Sequence, residues 1–261
     1  MSSDGLLFHR MDGGGEPLLI LNGIAMTVAA WEPVAAALAE RFQVIRCDLR
    51  GQLMSPGTPP ADAAGHVAEV AELLEALDAA PAHVLATSFG ALVAVLLASR
   101  QPQLVRSLVL VAAADRFDGG MGAEVDRWRA ACCEALASGD KGRLVDAIHP
   151  TAFSATFRSE HAQVLVARRA QMQDVPDRWF RELEALMAST GPADLGPELA
   201  AVRCPTLVVA AGHDAFIPRE RTEALAAAIA GARFTVLEGA GHAVVVERPD
   251  AIVRLVDQFV E

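Results

Sequence analysis

Short, unbroken apolar runs punctuate the chain at Leu18–Leu21, Gln43–Cys47, His83–Thr87, Leu108–Ala113 and Thr206–Ala211, with another, Phe234–Leu237, near the end. Each is too short for a core helix and does not alternate with polar residues. That pattern predicts strands buried on both faces rather than on one. Between them, Val28–Glu40, His66–Leu77, Ala91–Arg100 and Arg221–Ala230 have helical length and composition. Strand–helix alternation of this kind predicts a mostly parallel, twisted sheet flanked by helices and wound with right-handed crossovers. Ahead of the first run, Leu6–His9 and the Gly13-Gly14-Gly15 turn predict an antiparallel hairpin at one sheet edge.

The rhythm breaks between Phe117 and Leu199, where no strand pattern occurs and the periodicity is helical. Val125, Trp128, Cys132 and Leu136 fall on one helix face; Phe180, Leu183 and Met187 fall on another, with Trp179 and Leu186 beside them. Pro176 suits a first helical turn, and Gly191-Pro192 is the expected stop of that helix. The expected organisation is a single α/β domain over residues 1–261, with residues 117–199 inserted into it as a helical cap.

Composition narrows the class of protein. The chain is 52% hydrophobic and 21% charged, with a mean hydropathy of +0.30. Much of the apolar content is alanine in helix-like runs, as in a packed globular protein. The longest weakly polar stretch, Val84–Ala98, contains Thr87, Ser88 and Gly90 and is too short to span a bilayer. Met1 to Gly5 show no basic region followed by an apolar core, so the expected location is cytoplasmic. A formal net charge of −11 disfavours nucleic acid and anionic membrane surfaces as partners. Of the four cysteines, Cys132 and Cys133 are adjacent and none forms a Cys-x-x-Cys pair, which is poor spacing for a metal. Cys47 and Cys204, beside apolar runs, are expected to be small buried residues.

Candidate chemistry gathers where the strands end. Ala86-Thr87-Ser88-Phe89-Gly90 closes one apolar run and opens a helix. A serine on a sharp strand-to-helix turn exposes its Oγ, and the N–H of the next residue, Phe89, lies at the positive end of the helix. The same serine also fits an ordinary helix N-cap. A serine hydroxyl is a weak nucleophile at neutral pH and needs an adjacent base, a role that suits an imidazole of pKa about 6.5. Among seven histidines, His242 follows the last strand pattern in Gly239-Ala240-Gly241-His242 and precedes the final helix. Glycines there let a loop fold back over the strand ends. His9, His66, His83, His149 and His161 lack such a position, and His213 adjoins the acid candidate.

That acid, Asp214, follows the strand Thr206–Ala211 and is placed to orient an imidazole and stabilise its charge. It also fits an Asx turn, and Asp115 at the end of the preceding strand competes with it. A second oxyanion donor is expected from the loop after Leu18–Leu21, Asn22-Gly23-Ile24, as the N–H of Ile24; Asn-Gly is equally a common turn dipeptide.

Asn22-Gly23, Asp48-Leu49-Arg50-Gly51 with Ser55, the Ser88 turn, Cys204-Pro205-Thr206 leading to Asp214, and Gly241-His242 together resemble the α/β-hydrolase superfamily over essentially the whole chain. The helical segment resembles caps of small lactone and ester hydrolases, including the enol-lactone hydrolase group, and of carbon–carbon hydrolases. The chain departs from the family in three places. Ala86 stands for the first glycine of Gly-x-Ser-x-Gly, and Asn22 for the usual histidine of His-Gly. The latter form resembles that of intracellular polyhydroxyalkanoate depolymerases and points to hydroxyacyl substrates. Arg50-Gly51-Gln52-Leu53 replaces Arg-Gly-x-Gly, a change expected to reshape the pocket wall.

The expected activity is hydrolysis of a carboxylic ester, lactone or thioester through an acyl-enzyme on Ser88, with Asp214 and His242 completing the triad and the Ile24 and Phe89 N–H groups forming the oxyanion hole. Carbon–carbon hydrolysis by the same triad is the alternative, and a non-catalytic ligand receptor a further one. The expected partner is a small acyl substrate, and a homodimer is compatible with the sequence. The chemistry requires neither metal nor organic cofactor. Met26, Phe153, Trp179, Phe216 and Val244 are the expected substrate-binding residues, with Phe117, Phe157 and Phe180 as further aromatic wall candidates. Arg158, Arg168 and Arg169 have the chemistry to meet a substrate carboxylate, although such charges more often form a solvated helix face.

Overall fold

A computed structural model describes residues 5–190 and 193–260. The chain begins with β1 (His9–Asp12), β2 (Glu16–Leu21), a 3-10 turn at Val28–Trp31, α1 (Glu32–Leu38) and β3 (Phe42–Cys47). It continues through α2 (Ala63–Ala76), β4 (Ala82–Thr87), α3 (Phe89–Arg100), β5 (Val105–Val111) and β6 (Arg116–Phe117). Helices α4 (Gly119–Ser138), α5 (Arg143–Ala152), α6 (Ala155–Glu160), α7 (Ala162–Gln171) and α8 (Asp177–Ala188) follow. The remaining elements are β7 (Ala193–Asp194), α9 (Gly196–Ala201), β8 (Thr206–Ala211), α10 (Arg219–Ala228), β9 (Arg233–Leu237), α11 (Val244–Glu247) and α12 (Pro249–Phe259).

Seven strands form one sheet in the order β1-β3-β2-β4-β5-β8-β9, parallel except for β1. Successive side chains of β2 enter different cores. Leu19 and Leu21 pack with Val67, Val70 and Leu74 of α2 and with α3. Leu18 and Ile20 pack with Trp31, Val34, Leu38, Ile252 and Val256. Both faces are therefore dry, which is why the strand reads as an unbroken apolar run. No helix among the described residues is long and apolar enough to cross a membrane.

Two expectations are corrected. The N-terminal edge strand is antiparallel, but it spans His9–Asp12 and pairs with β3 instead of forming a hairpin with β2. The Gly13–Gly15 segment packs on the backbone of Ala39, Arg41 and Phe42, and buried Arg46 of β3 binds Asp12 of β1 as well as Glu32. These contacts carry β1 past β2 to the outer side of β3. Strand structure also occurs at the borders of the helical segment, where β6 and β7 pair antiparallel, Arg116 with Asp194 and Phe117 with Ala193. Each is only two residues long, below what a period-2 pattern can reveal. The expected stop at Gly191-Pro192 lies outside the described residues. Within the segment, Val125, Trp128 and Cys132 of α4 and Phe180, Leu183 and Met187 of α8 are buried as expected.

Candidate active site

Every residue of β4 is buried, and the chain turns from β4 into α3 through Ser88 alone. Ser88 has φ 52° and ψ −119°, a conformation costing a non-glycine residue about 1–3 kcal/mol. The surroundings fix it. Its N–H donates to Val111 O at 3.0 Å, and its carbonyl accepts from Ala91 N at 2.9 Å and Leu92 N at 3.2 Å. A Cβ on Gly90 would lie 2.6 Å from the carbonyl oxygens of both Leu21 and Asn22, so only glycine lets α3 approach β2 this closely. Ala86, two residues before Ser88, is fully buried in β4; the strand accommodates its methyl. The Ser88 side chain makes no N-cap bond. Its Oγ lies 3.1 Å from His242 Nε2.

The imidazole is held from the other side. His242 Nδ1 is 2.8 Å from Asp214 Oδ2, while Asp214 Oδ1 accepts the N–H groups of Phe216 at 2.9 Å and Ile217 at 2.8 Å. The turn bonds and the contact with the imidazole thus coexist on Asp214, one oxygen for each. With Nδ1 donating to the carboxylate, Nε2 is left to accept the serine proton. Phe216 sets its ring edge-on to His242, with centroids 5.0 Å apart and planes at 81°. The two loops are laced together by His213 N to Ala240 O (2.8 Å) and Gly212 N to Leu237 O (3.0 Å). Asp115 points elsewhere: its oxygens lie 3.3 Å from Arg116 and 3.5 Å from Arg221.

Glu247, unnoticed in the sequence, ties the histidine loop to the helical segment. Buried in α11, it accepts from Ser154 N (2.7 Å), Ser154 Oγ (2.8 Å) and Gly241 N (3.1 Å). Ala243 N adds a bond to Ala152 O at 2.7 Å. A Cβ on Gly241 would overlap Ser154 N and sit 2.8 Å from Phe153 C, so the segment's backbone presses directly on the residue before His242.

On the opposite side of Ser88 lies the β2 loop. A Cβ on Gly23 would be 3.6 Å from Ser88 Cβ, and neither Ile24 N nor Phe89 N donates to another group among the described residues. Fully buried Asn22 accepts Trp31 Nε1 at 2.8 Å and donates to Cys47 O, Asp48 Oδ1 and Gln52 Oε1. Gln52, also fully buried, donates to Gly23 O (2.8 Å) and Ile24 O (3.2 Å) and accepts Leu49 N at 2.8 Å. The Gln52 departure therefore sits behind the loop and not on the pocket wall; its neighbour Leu53 faces the cavity. Burial pushes the Asp48 carboxyl up, against the N–H donors of Met54 and Val28 and the Asn22 amide.

Two cavities meet at Ser88. One, of about 440 Å³, is lined by His242, Met26, Phe153, Trp179 and Arg168 among others. The other, of about 70 Å³, is apolar and bordered by Phe89, Phe117 and Phe216; Ile24 borders both. Four of the five expected substrate-binding residues, Met26, Phe153, Trp179 and Phe216, and the further candidate Phe117 thus face these spaces. Val244 does not: it is fully buried in the core between the sheet and α1 and α12, and on the short helix α11 it is Val245 and Val246 that face the cavity. Phe180 is likewise a core residue, and Phe157 stacks on Phe153.

No group of three or more His, Cys, Asp or Glu among the described residues has the arrangement to hold a metal. Burial pushes the Cys47 thiol far up and that of Cys132 to about 12, so both stay protonated and unreactive at neutral pH.

Residues 16–249 match the family model of the alpha/beta hydrolase fold. A pimeloyl-[acyl-carrier protein] methyl ester esterase of Aeromonas hydrophila is 29% identical over 256 residues, which span 95% of this chain and 96% of that one. The enol-lactonase of Burkholderia xenovorans LB400 superposes with a TM-score of 0.82 at 29% identity, covering 97% of this chain and 96% of that one. A hydrolase of Pseudomonas aeruginosa PA01 does so at 0.82 and 31%, covering 97% and 93%. With this match over most of its length and a sheet of the same architecture, the chain belongs to the alpha/beta hydrolase fold family and is a hydrolase.

Proposed function

We propose that the protein cleaves a carboxylic ester, lactone or thioester through an acyl-enzyme on Ser88. The observation that carries this is the single imidazole of His242 bridging Ser88 Oγ at 3.1 Å and Asp214 Oδ2 at 2.8 Å. As Oγ attacks the substrate carbonyl, His242 Nε2 takes the hydroxyl proton, and Asp214 stabilises the imidazolium. The carbonyl oxygen becomes an oxyanion held by the N–H groups of Ile24 and Phe89. Collapse of the tetrahedral intermediate breaks the bond to the leaving group, which receives the proton from His242. Water, deprotonated by the same nitrogen, then attacks the acyl-enzyme, and its collapse returns the proton to Ser88 and frees the acid.

Helices α4 to α8, in this proposal, form a cap over residues 117–199 within one domain, and the two cavities at Ser88 receive the acyl and leaving-group portions of a small substrate. The ester-cleaving names of the esterase and the enol-lactonase support this class of reaction. Fluorophosphonate labelling tests it directly: the expected result is one adduct on Ser88, with turnover of short 4-nitrophenyl esters that Ser88→Ala abolishes. Turnover surviving Ser88→Ala would exclude the acyl-enzyme.

A further inference from the structure

The three arginines singled out in the sequence have different surroundings. Arg169 is paired with Asp140 at 2.8 Å and Asp146 at 2.9 Å. Arg158 is exposed and away from the cavity wall. Arg168, on α7, lines the cavity of about 440 Å³ that also holds Ser88 and His242. Among the described residues it is the only formally charged side chain on that wall, beside Met26, Ile148, Phe153, Met172 and Trp179. Burial pulls its guanidinium down, and no carboxylate opposes the effect. Among the described residues Arg168 makes neither an ion pair nor a hydrogen bond. A partly desolvated cation without a counter-ion is unfavourable, and in a chain of net charge −11 acids to pair with it are plentiful. Its neighbour His149, also on the wall, is pushed down to about 4 by burial and by the Arg168 charge. It is therefore neutral at pH 7 and adds no second positive charge.

Resting on the Ser88 reaction above, we propose that Arg168 receives a carboxylate at the remote end of the substrate, so that the natural substrates are half-esters or lactones of acids carrying a second, free carboxylate. The planar guanidinium matches a carboxylate in a two-point bond. Neutral His149 and the Gln171 amide on the same wall are available for further hydrogen bonds. One guanidinium neutralises one negative charge, which suits a carboxylate better than a dianionic phosphate ester.

The test is a comparison of kcat/KM for mono-4-nitrophenyl glutarate and adipate against neutral 4-nitrophenyl esters of the same length, in the wild type, Arg168→Lys, Arg168→Met and Arg168→Glu. The wild type is expected to prefer the half-esters. Arg168→Met should lower that preference about 10- to 100-fold, the range of a charge-assisted bond. The change should appear mainly in KM, because the contact is remote from the reacting carbonyl. Arg168→Lys should retain part of the preference, which guards against a merely misfolded variant. Arg168→Glu should turn the preference toward an ammonium-ended ester. Turnover of the neutral ester with a half-ester preference that is absent, or insensitive to Arg168, would overturn the assignment and leave the Ser88 reaction standing. A phosphate-ended ester outrunning the half-ester would overturn the carboxylate. Absence of both turnover and Ser88 labelling would remove the reaction and this inference together.

Discussion

Replacing Gln52 with leucine removes four buried hydrogen bonds at nearly constant volume: the donations to Gly23 O and Ile24 O and the acceptances from Leu49 N and Asn22 Nδ2. In a trans peptide the Gly23 carbonyl and the Ile24 N–H point in opposite directions. Gln52 and Met26 N (3.1 Å) share the Gly23 carbonyl, and holding it behind the loop sets the Ile24 N–H on the opposite side, which in the proposed reaction is the Ser88 side. A buried polar group left without a partner costs about 1–3 kcal/mol, and part of that is recovered by relaxation. The expected loss of stability is about 2–4 kcal/mol, or roughly 5–10 °C in Tm for a chain of this size. If the Ile24 N–H is an oxyanion donor as proposed, its release should lower kcat about 10²–10³-fold, with KM changing much less, since such a donor acts mainly on the charge developing in the transition state.

Gln52→Glu separates geometry from packing. The carboxylate keeps the acceptor for Leu49 N but sets a negative charge against the Gly23 and Ile24 carbonyls; protonation restores one donor. Its rate relative to the wild type should rise as pH falls. Thermal melts with kcat and KM for both variants across pH provide the assay. A Gln52→Leu protein that loses stability yet keeps the wild-type kcat would show that the loop backbone holds the Ile24 N–H unaided.

Asp214→Asn should leave the turn bonds to Phe216 and Ile217 available while removing the charge that steadies His242. Steady-state kinetics are expected to show a fall in kcat of about 10⁴ with a smaller change in KM. Glu247→Ala strands the N–H groups of Ser154 and Gly241. Hydrogen exchange should quicken in both the histidine loop and the α5–α6 turn, with about 2–4 kcal/mol lost from urea unfolding. For His149, whose folded pKa is about 4 against about 6.5 when unfolded, the unfolded chain binds more protons between these values. This group's contribution to stability therefore falls as pH drops from about 6.5 to 4. Urea melts of His149→Gln should show a shallower pH slope in that window than the wild type.

The parallel strands were legible because burial on both sheet faces leaves no polar residue to interrupt them: Thr206–Ala211 has the same limits in the sequence pattern and in the structure. Helix starts were less so. Val28–Glu40 divides at Glu32, where a 3-10 turn hands over to α1 ahead of Pro33. The candidate residues Ser88, Asp214 and His242 could be picked out because each lies within five residues of the end of a strand pattern, and strand ends in such a sheet meet at one edge. Gln52 and Glu247 could not. Gln52 acts on Gly23, 29 positions away, and Glu247 on Ser154, 93 away, and no local periodicity reports such distant hydrogen bonds. Val244 was misplaced because α11 is four residues long, too short for its faces to be told apart by spacing.

Placing His242 and walling the cavity are structurally one event in this protein. Gly241 must be bare because the backbone at Phe153 and Ser154 presses on it. The same contact brings Phe153 to the cavity wall, and Glu247 fastens both sides with three hydrogen bonds. Lifting the α5–α6 turn off the sheet would thus open the cavity and release the loop that carries His242 together. A rearrangement elsewhere on the rim would leave that loop and its three bonds in place. The α7 side, where Leu165 is buried while Val164 and Val166 are exposed, is joined to the histidine loop by none of these three bonds. The residue offered there to an incoming carboxylate is Arg168.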